Sequence, residues 1–569
     1  MIKKILSTSY IYIILLSIIT IGGLFVRLYG IDFGKPYLYH IDEWKLVNQA
    51  GHFLDIKNID QSTFFNIGTY PPFFIYMLAI SFGIYSAIGL LLGIFPSISS
   101  IIDMYKSNPF TFHLIGRYIS AILGSATIVF TYLIGSKIFN KKVGLMGALF
   151  LAFTFVHVRN SHYCTVDISA TFFVVVTFWF ITSIYNKGDL KYYIGAGIFS
   201  AISVATKYTV GLILIPFFVA HFLRSGVERY SIKQSILSKK LLIGIISFGL
   251  VFLIVCPFPI LNIYLFYKDT SQIASTVTGG RIGYFTGDGF FSYITGAQWS
   301  GFGHFARNSL AGGMGLHTMI FAIGGFLLCS FKFSKKCLLF LSLPVIHFIV
   351  LSSMSYKAMR LMLPIIPFLI LLCGWFIFYI IQKIPLFKER QNIMVIGFSL
   401  ICVLPMMIDS IRNDYKLTLK ETRTIAKEWI ESNIPSGTKI AIESKSPQLY
   451  NINPNFTIMG PRLVDEKDSS KSYFLVDSGW FLFSYAPDEY VNFDPIEEIN
   501  KNNVDYVILD NWTYDRFYMD EAISKYPIKT NQRRKFYDWV RNNAQFIKKF
   551  EPVPNHITGP TIEIFKIRH

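Results

Sequence analysis

Apolar residues in this chain run on rather than alternate. Ile11–Val26, Leu241–Val255 and Leu361–Ile381 are nearly uninterrupted, and a stretch of about 20 apolar residues crosses a hydrocarbon core of ~30 Å. The pattern predicts a polytopic α-helical membrane protein. Basic residues set its sidedness: Lys3 and Lys4 at the start, then Lys137/Lys141/Lys142, Lys187/Lys191, Arg224/Arg229/Lys233/Lys239/Lys240, Lys332/Lys335/Lys336 and Lys383/Lys388/Arg390. Placing all of them in the cytoplasm satisfies the positive-inside rule. The first span lacks an A-x-A cleavage site and reads as an uncleaved anchor.

That placement constrains residues 73–95, an apolar stretch between the first outer loop and Arg117. If it crossed, every later basic loop would face outward, so it is expected to lie along or dip into the outer leaflet. Eleven spans remain, at 9–29, 112–136, 143–158, 168–186, 193–206, 208–223, 241–261, 311–330, 338–353, 361–381 and 393–410. An odd number places the C-terminus outside.

Beyond residue 410 the pattern changes. Asp414–Asn433 reads as one soluble amphipathic helix stopped by Ile434-Pro435-Ser436-Gly437. Strand-like runs follow at Lys439–Glu443, Val504–Leu509 and Thr561–Ile567, with a polar helix near Arg533–Ala544. The expected organisation is a membrane domain over 1–410, with outer loops 30–111 and 262–308, and an extracytoplasmic α/β domain over 411–569.

Composition fits this frame: 52% of the 569 residues are hydrophobic and 15% charged. The net charge of +18 belongs to the basic loops and a Lys-rich exported domain, so anionic lipid head groups are expected partners and nucleic acid is not. All six cysteines lie in or beside apolar spans, without a C-x-x-C pattern.

The outer ends of the spans collect the candidate chemistry. Arg27 ends span one, Asp42 and Glu43 occupy the first loop, Arg117 enters span two, and His162 and Asp167 lie between spans three and four. Lys207 and Tyr208 separate spans five and six, Asn262 follows span seven, and Lys357 and Arg360 enter span ten. Ionisable groups at membrane depth are functional candidates by default. Each also has a plain structural reading. Arg27 and Arg117 suit snorkelling, Lys207 suits a helix C-terminus, Asp167 suits an N-cap, and Asp42-Glu43 suits a solvated loop. His40, His52 and His162 show no diagnostic metal spacing; a divalent metal stays open and no other cofactor is indicated.

In order, Arg27-Leu28-Tyr29-Gly30, Asp42-Glu43, Tyr70-Pro71-Pro72, Gly116-Arg117-Tyr118-Ile119-Ser120-Ala121 with Tyr132-Leu133-Ile134-Gly135, His157-Val158-Arg159-Asn160-Ser161-His162 before Asp167, Ala205-Thr206-Lys207-Tyr208 and Arg360-Leu361-Met362-Leu363-Pro364 with Pro367 resemble the GT-C membrane glycosyltransferases. The nearest branch is that of the protein O-mannosyltransferases and lipid A aminoarabinose transferases. The resemblance covers about residues 10–435, with Thr422-Arg423 included. Lys357-Ala358-Met359-Arg360 stands where many relatives carry an Arg-Tyr pair.

The resemblance implies a sugar donor carried on a polyprenyl phosphate and an acceptor protein, lipid or glycan, with chemistry on the outer face of the cell membrane. It implies Asp42 as base with Glu43 orienting the acceptor or the base. Lys207, Arg360 and Arg117 would hold the donor phosphate, and Asp167, His162, Tyr208 and Arg27 would lie around the sugar. A lone base without a carboxylate nucleophile suits a single displacement with inversion. The Gly-rich loop carrying Gly279, Gly280, Gly283, Tyr284, Phe285 and Phe290 suits a lid or a merely long loop. Rival readings are a lipid or polysaccharide transporter, an O-antigen-type polymerase or ligase, and a non-catalytic assembly subunit. A transporter would place charges at mid-span in matched halves. A polymerase or ligase would carry more arginines than Arg281 and Arg307 in its late outer loop.

Overall fold

The structure is a computed structural model. It describes residues 2–55, 70–264, 267, 270–271, 303, 305–354, 358–385, 390–443, 445–453, 471–478, 493–519, 522–523 and 526–568. Among these, nine helices are long and apolar enough to cross a membrane, or up to eleven when two bent pairs each count as one span. The protein is a multi-pass α-helical membrane protein with a mixed α/β region at its C-terminal end.

The membrane helices used below are α1 (Ile2–Leu28), α3 (Phe73–Leu91), α5 (Phe110–Ile138), α6 (Lys141–Phe153), α7 (Phe155–Ser161), α8 (Val166–Lys187), α9 (Leu190–Thr206), α10 (Leu214–Val227), α11 (Ile232–Ile236), α12 (Lys239–Val255) and α13 (Gln391–Thr418), with α2 (Ile41–Gly51) and α4 (Ile98–Ser107) in the first loop. Their burial separates core from lipid face. α8 is buried along most of its length, whereas α12 exposes Leu242, Ile246, Leu250 and Ile254 at every fourth position, an apolar stripe that suits lipid. Small residues let helices approach closely: a Cβ on Gly197 of α9 would lie 2.2 Å from the Gly244 carbonyl oxygen of α12.

Two membrane elements differ from expectation in detail. The third predicted span is bent by 57° at Thr154, between α6 and α7. The stretch expected at the outer leaflet is a single helix, α3, that passes the length and composition test for a span. Its packing runs to the ends of other helices: Phe82 and Tyr85 meet Phe112 in the first turn of α5, and Phe73 meets Phe173 near the start of α8.

Asp414–Asn433 is not one helix. α13 continues to Thr418, the chain becomes extended at Leu419 and adds strand β1 (Lys420–Glu421), and α14 then spans Thr422–Asn433. β1 pairs with β7 (Ile557–Thr558). The main sheet has the order β3-β4-β2-β5-β8-β6, with β2 (Lys439–Ile442), β3 (Tyr450–Asn451), β4 (Ser472–Asp477), β5 (Tyr506–Asp510), β6 (Ala544–Phe550) and β8 (Ile562–Ile567). β3, β4, β2 and β5 run parallel, while β8 runs antiparallel to both of its neighbours, β5 and β6. Ala426 and Ile430 of α14 cover one face through Ile440, Ile442, Tyr473 and Leu475. Phe536, Tyr537 and Val540 of α15 (Pro527–Asn543) cover the other through Val507 and Leu509. The earliest long strand, β2, lies between β4 and β5, so the chain leaves it in both directions. The carboxyl ends of these strands meet at such a switch point.

Candidate active site

The Asp42 segment is held from three sides. Glu43, in the first turn of α2, is fully buried; Arg117 grips it with Nε to Oε1 at 2.9 Å and Nη2 to Oε2 at 2.8 Å. The backbone N–H of Cys164 donates to the same Oε1 at 2.9 Å, and His113 Nδ1 lies 3.8 Å from Oε2. Arg117 Nη1 also donates to the carbonyls of Ile31 and Phe33, both at 3.0 Å, and its guanidinium lies 3.7 Å from the Phe33 ring centroid. Burial pushes the Glu43 carboxyl up, but Arg117 and His113 together hold the group below the usual carboxylate range. Bidentate, charge-assisted bonds of this kind fix geometry. Glu43 and Arg117 are therefore the clamp beneath the loop.

The adjacent carboxylate points elsewhere. Asp42, with a third of its side chain exposed, accepts from Arg360 Nη1 at 2.5 Å. Arg360 Nε lies 3.9 Å from Asp167 Oδ2, and Asp167 Oδ1 accepts from Lys207 Nζ at 2.6 Å. Asp42, Arg360, Asp167 and Lys207 thus form an alternating chain of charges drawn from four places in the sequence. Arg360 and Lys207 keep 27% and 14% of their side chains exposed, so neither is wholly sealed in the protein. Asp167 lies in the first turn of α8 but is not its cap, which is Thr165. Burial pushes the Asp42 carboxyl up, yet Arg360, then His40, hold it below the usual carboxylate range. It is a carboxylate throughout the physiological range.

The remaining sequence candidates lie outside this chain of charges. Arg117, expected at the donor phosphate, is engaged with Glu43 and two carbonyls and is fully buried. Glu43, expected to orient the acceptor or the base, is buried and held by Arg117 next to Asp42. Arg27 is also fully buried: it donates to Gly23, Leu151 and Ala152 carbonyls and meets His157 Nδ1 at 2.9 Å. It closes the C-terminal end of α6 where the span bends. His162 has its two ring nitrogens 3.0 Å from the Val158 and Tyr29 carbonyls, with Asp414 Oδ1 at 3.6 Å, and joins α7, α1 and α13. Tyr208 follows Lys207, with its hydroxyl 3.7 Å from Cys256 Sγ. Lys357 and the Gly-rich run with Tyr284, Phe285 and Phe290 lie outside the described residues.

Sequence reading missed the contribution of the C-terminal region. The loop after β2 reaches the Asp42 segment through Gln448, whose amide accepts from Leu38 N at 3.1 Å and donates to Leu38 O at 2.7 Å. Tyr39 bonds Thr424 at 2.6 Å, and the Arg423 guanidinium lies 4.0 Å from its ring centroid. The loop root is fixed by buried Glu443, which receives Arg533 Nη2 at 2.5 Å, Tyr537 Oη at 2.7 Å and Asp510 N at 3.0 Å. Lys445, on this loop, acts electrostatically on both Asp42 and His40. Burial, then Arg423 and Arg516, lower its ammonium to about 8 against the pull of Asp42 and Asp510. No spacing in the sequence announces it, since Lys445 stands some four hundred positions from Asp42. Among the described residues, no three His, Cys, Asp or Glu side chains converge as a metal site would need.

The fold that carries this constellation is that of the GT-C membrane glycosyltransferases. The chain superposes on the oligosaccharyltransferase of Archaeoglobus fulgidus in its apo form with a TM-score of 0.52 at 14% identity, over 91% of this chain and 72% of that one. The archaeal oligosaccharyltransferase AglB from the same organism, in complex with an inhibitory peptide and a dolichol-phosphate, gives 0.52 at 13% identity, over 96% and 74%. ArnT from Cupriavidus metallidurans bound to undecaprenyl phosphate aligns over 97% of this chain and 98% of that one, with a TM-score of 0.48 and 11% identity. The family model of dolichyl-phosphate-mannose-protein mannosyltransferases matches residues 113–255, a stretch holding Arg117, Asp167 and Lys207. No curated protein matches the chain significantly. The partial family match and the fold both accord with the resemblance read from the sequence.

Proposed function

We propose that the protein transfers a sugar from a polyprenyl-phosphate carrier to an acceptor on the extracytoplasmic face of the cell membrane, with inversion. The observation that carries this reading is the chain Asp42–Arg360–Asp167–Lys207: one accessible carboxylate beside two accessible cations at helix ends. A glycosyl transfer needs a base for the incoming nucleophile and cations for the departing phosphate. Asp42 serves as the base, and Arg360 and Lys207 hold the phosphate. Arg360 has the planar fork that suits a phosphate.

Asp42 and the phosphate compete for Arg360. A donor phosphate that takes Arg360 withdraws the cation holding Asp42 acidic, and the carboxylate becomes a stronger base as the donor seats. Asp167 keeps Lys207 and Arg360 oriented throughout. Glu43 and Arg117 set the position of Asp42 from below; Gln448, Arg423 and Lys445 approach from the C-terminal region. The acceptor enters between that region and Asp42, where Lys445 supplies positive potential.

The reading is tested with purified protein in nanodiscs and radiolabelled polyprenyl-phosphate sugars beside the matching nucleotide sugars. Consumption of a polyprenyl-phosphate sugar, including slow hydrolysis without acceptor, is expected, with nucleotide sugars untouched. Turnover of nucleotide sugars alone would sink the reading.

A further inference from the structure

Away from the Asp42 site, one basic cleft is built into the described residues. α10 carries the chain from the Lys207 end of the bundle to the opposite end, where Arg224 Nη1 donates to the Asn186 carbonyl at the end of α8 at 3.2 Å. α8 begins beside Asp167 and holds 22 residues, which at ~1.5 Å per residue separates the two ends by roughly the thickness of a membrane core. At this opposite end a cleft of about 520 Å³ opens along the connection from α10 to α12, around α11, lined by Tyr230, Lys233, Gln234, Leu237, Lys239 and Lys240 among others.

The cleft is preformed. Ser231 and Gln234 cap α11 reciprocally, and Ser235, buried beneath the helix, offers its carbonyl to His221 Nε2 at 2.9 Å. His221 is braced in turn by Tyr193 Oη at 2.9 Å. None of the three lysines forms an ion pair among the described residues. The nearby carboxylate, Glu228, is taken by Arg224 Nε at 2.7 Å and by Tyr230, and attracts Lys240. The surroundings are apolar. Ile232, Ile236 and Leu237 are 80%, 57% and 68% exposed. Ile232 and Ile236 share one side of α11 at an i, i+4 spacing.

Three ammonium groups around a cleft, rimmed by exposed aliphatic side chains, match a single kind of surface. The aliphatic groups suit acyl chains and the ammonium groups suit the phosphate above them. We propose that this cleft binds the headgroup of an anionic phospholipid in the leaflet opposite the Asp42 site. α11 rests in the interface, with Ile232, Ile236 and Leu237 among the acyl chains and Lys233, Lys239 and Lys240 on the headgroup. The site is distinct from the donor site and does not depend on the activity proposed above.

The test uses the full-length protein in detergent, read by native mass spectrometry and by thermal unfolding. Phosphatidylglycerol, phosphatidylcholine and inorganic phosphate are titrated in parallel. Wild type is expected to retain phosphatidylglycerol and to unfold at higher temperature with it, while phosphatidylcholine does neither. The variant Lys233→Gln/Lys239→Gln/Lys240→Gln is expected to weaken phosphatidylglycerol binding about tenfold or more. Lys233→Arg/Lys239→Arg/Lys240→Arg keeps the binding and shows that the loop still folds. A control, Lys332→Gln/Lys335→Gln/Lys336→Gln, removes as much charge from another loop and leaves binding unchanged. Equal weakening by both glutamine triples would show a diffuse field and overturn the site. Stabilisation by inorganic phosphate equal to that by the lipid would overturn the lipid as its occupant.

Discussion

Asp42 and Glu43 are neighbours with opposite fates, and the difference between them is where their side chains end. Glu43 is buried and receives a bidentate arginine; Asp42 reaches an accessible cation. The sequence presents two adjacent carboxylates and cannot separate them, because the direction each takes depends on Arg117, seventy-four positions away, and Arg360, more than three hundred away. The separation gives contrasting expectations. Glu43→Gln leaves Arg117 buried without its counter-charge, which costs about 3–5 kcal/mol for a pair of this kind; the midpoint of thermal unfolding in detergent falls and activity falls with it. Asp42→Asn leaves that midpoint near wild type while transfer is lost. A Glu43→Gln protein as stable as wild type would remove the clamp.

Lys445 gives a pH signature at the same scale. Its ammonium is lowered to about 8 from 10.5. Between those values the unfolded chain holds a proton that the folded chain has shed, so this group makes stability rise with pH across that window. The charge at the site is lost at the lower edge of that window, as pH rises through about 8. Transfer is therefore expected to decline as pH rises through about 8, and Lys445→Arg to move the decline upward. An identical alkaline limb in both proteins would exclude Lys445 as its source.

Among the elements, those with a strong apolar signal were legible and those set by tertiary contact were not. β2, β5 and β8 appear within one or two residues of the runs that announced them, because their Ile, Val and Leu positions fill both faces of a covered sheet. β6, in Ala544–Phe550, has Gln and Lys at most outward positions and gave no such signal. The break at Leu419 was missed for a related reason. Residues 414–433 keep an amphipathic helical pattern across it, while the extended turn is fixed by β1 pairing with β7 more than a hundred residues later. The loop after β2 acts as a strap, tied at Glu443 below and at Leu38 above. Gln448→Ala removes both bonds to Leu38. It is expected to speed proteolysis between the membrane helices and the C-terminal region while leaving far-ultraviolet circular dichroism unchanged; unchanged proteolysis would mean that Tyr39 and Arg423 suffice.

For the whole molecule, the positive-inside pattern carried most of the architecture: it placed the charged span ends on one face and so pointed to Asp42, Asp167, Lys207 and Arg360 before any contact was known. It could not tell which of the arginines on that face were spent on carbonyls, as Arg27 and Arg117 are, because that depends on helix packing. The orientation itself is open to direct measurement. In a cysteine-free background, Ser432→Cys on α14 is expected to react with a membrane-impermeant maleimide in intact cells, and Lys336→Cys only after permeabilisation. The reverse pattern would turn the molecule over.

The central claim is that Asp42 is the base in sugar transfer from a polyprenyl phosphate. Its most direct test compares donor consumption by wild type and Asp42→Asn in nanodiscs, each checked for an unchanged unfolding midpoint. A loss of about 10²–10⁴-fold in the variant is predicted, the usual contribution of a positioned base. Equal turnover by the two proteins would contradict the account.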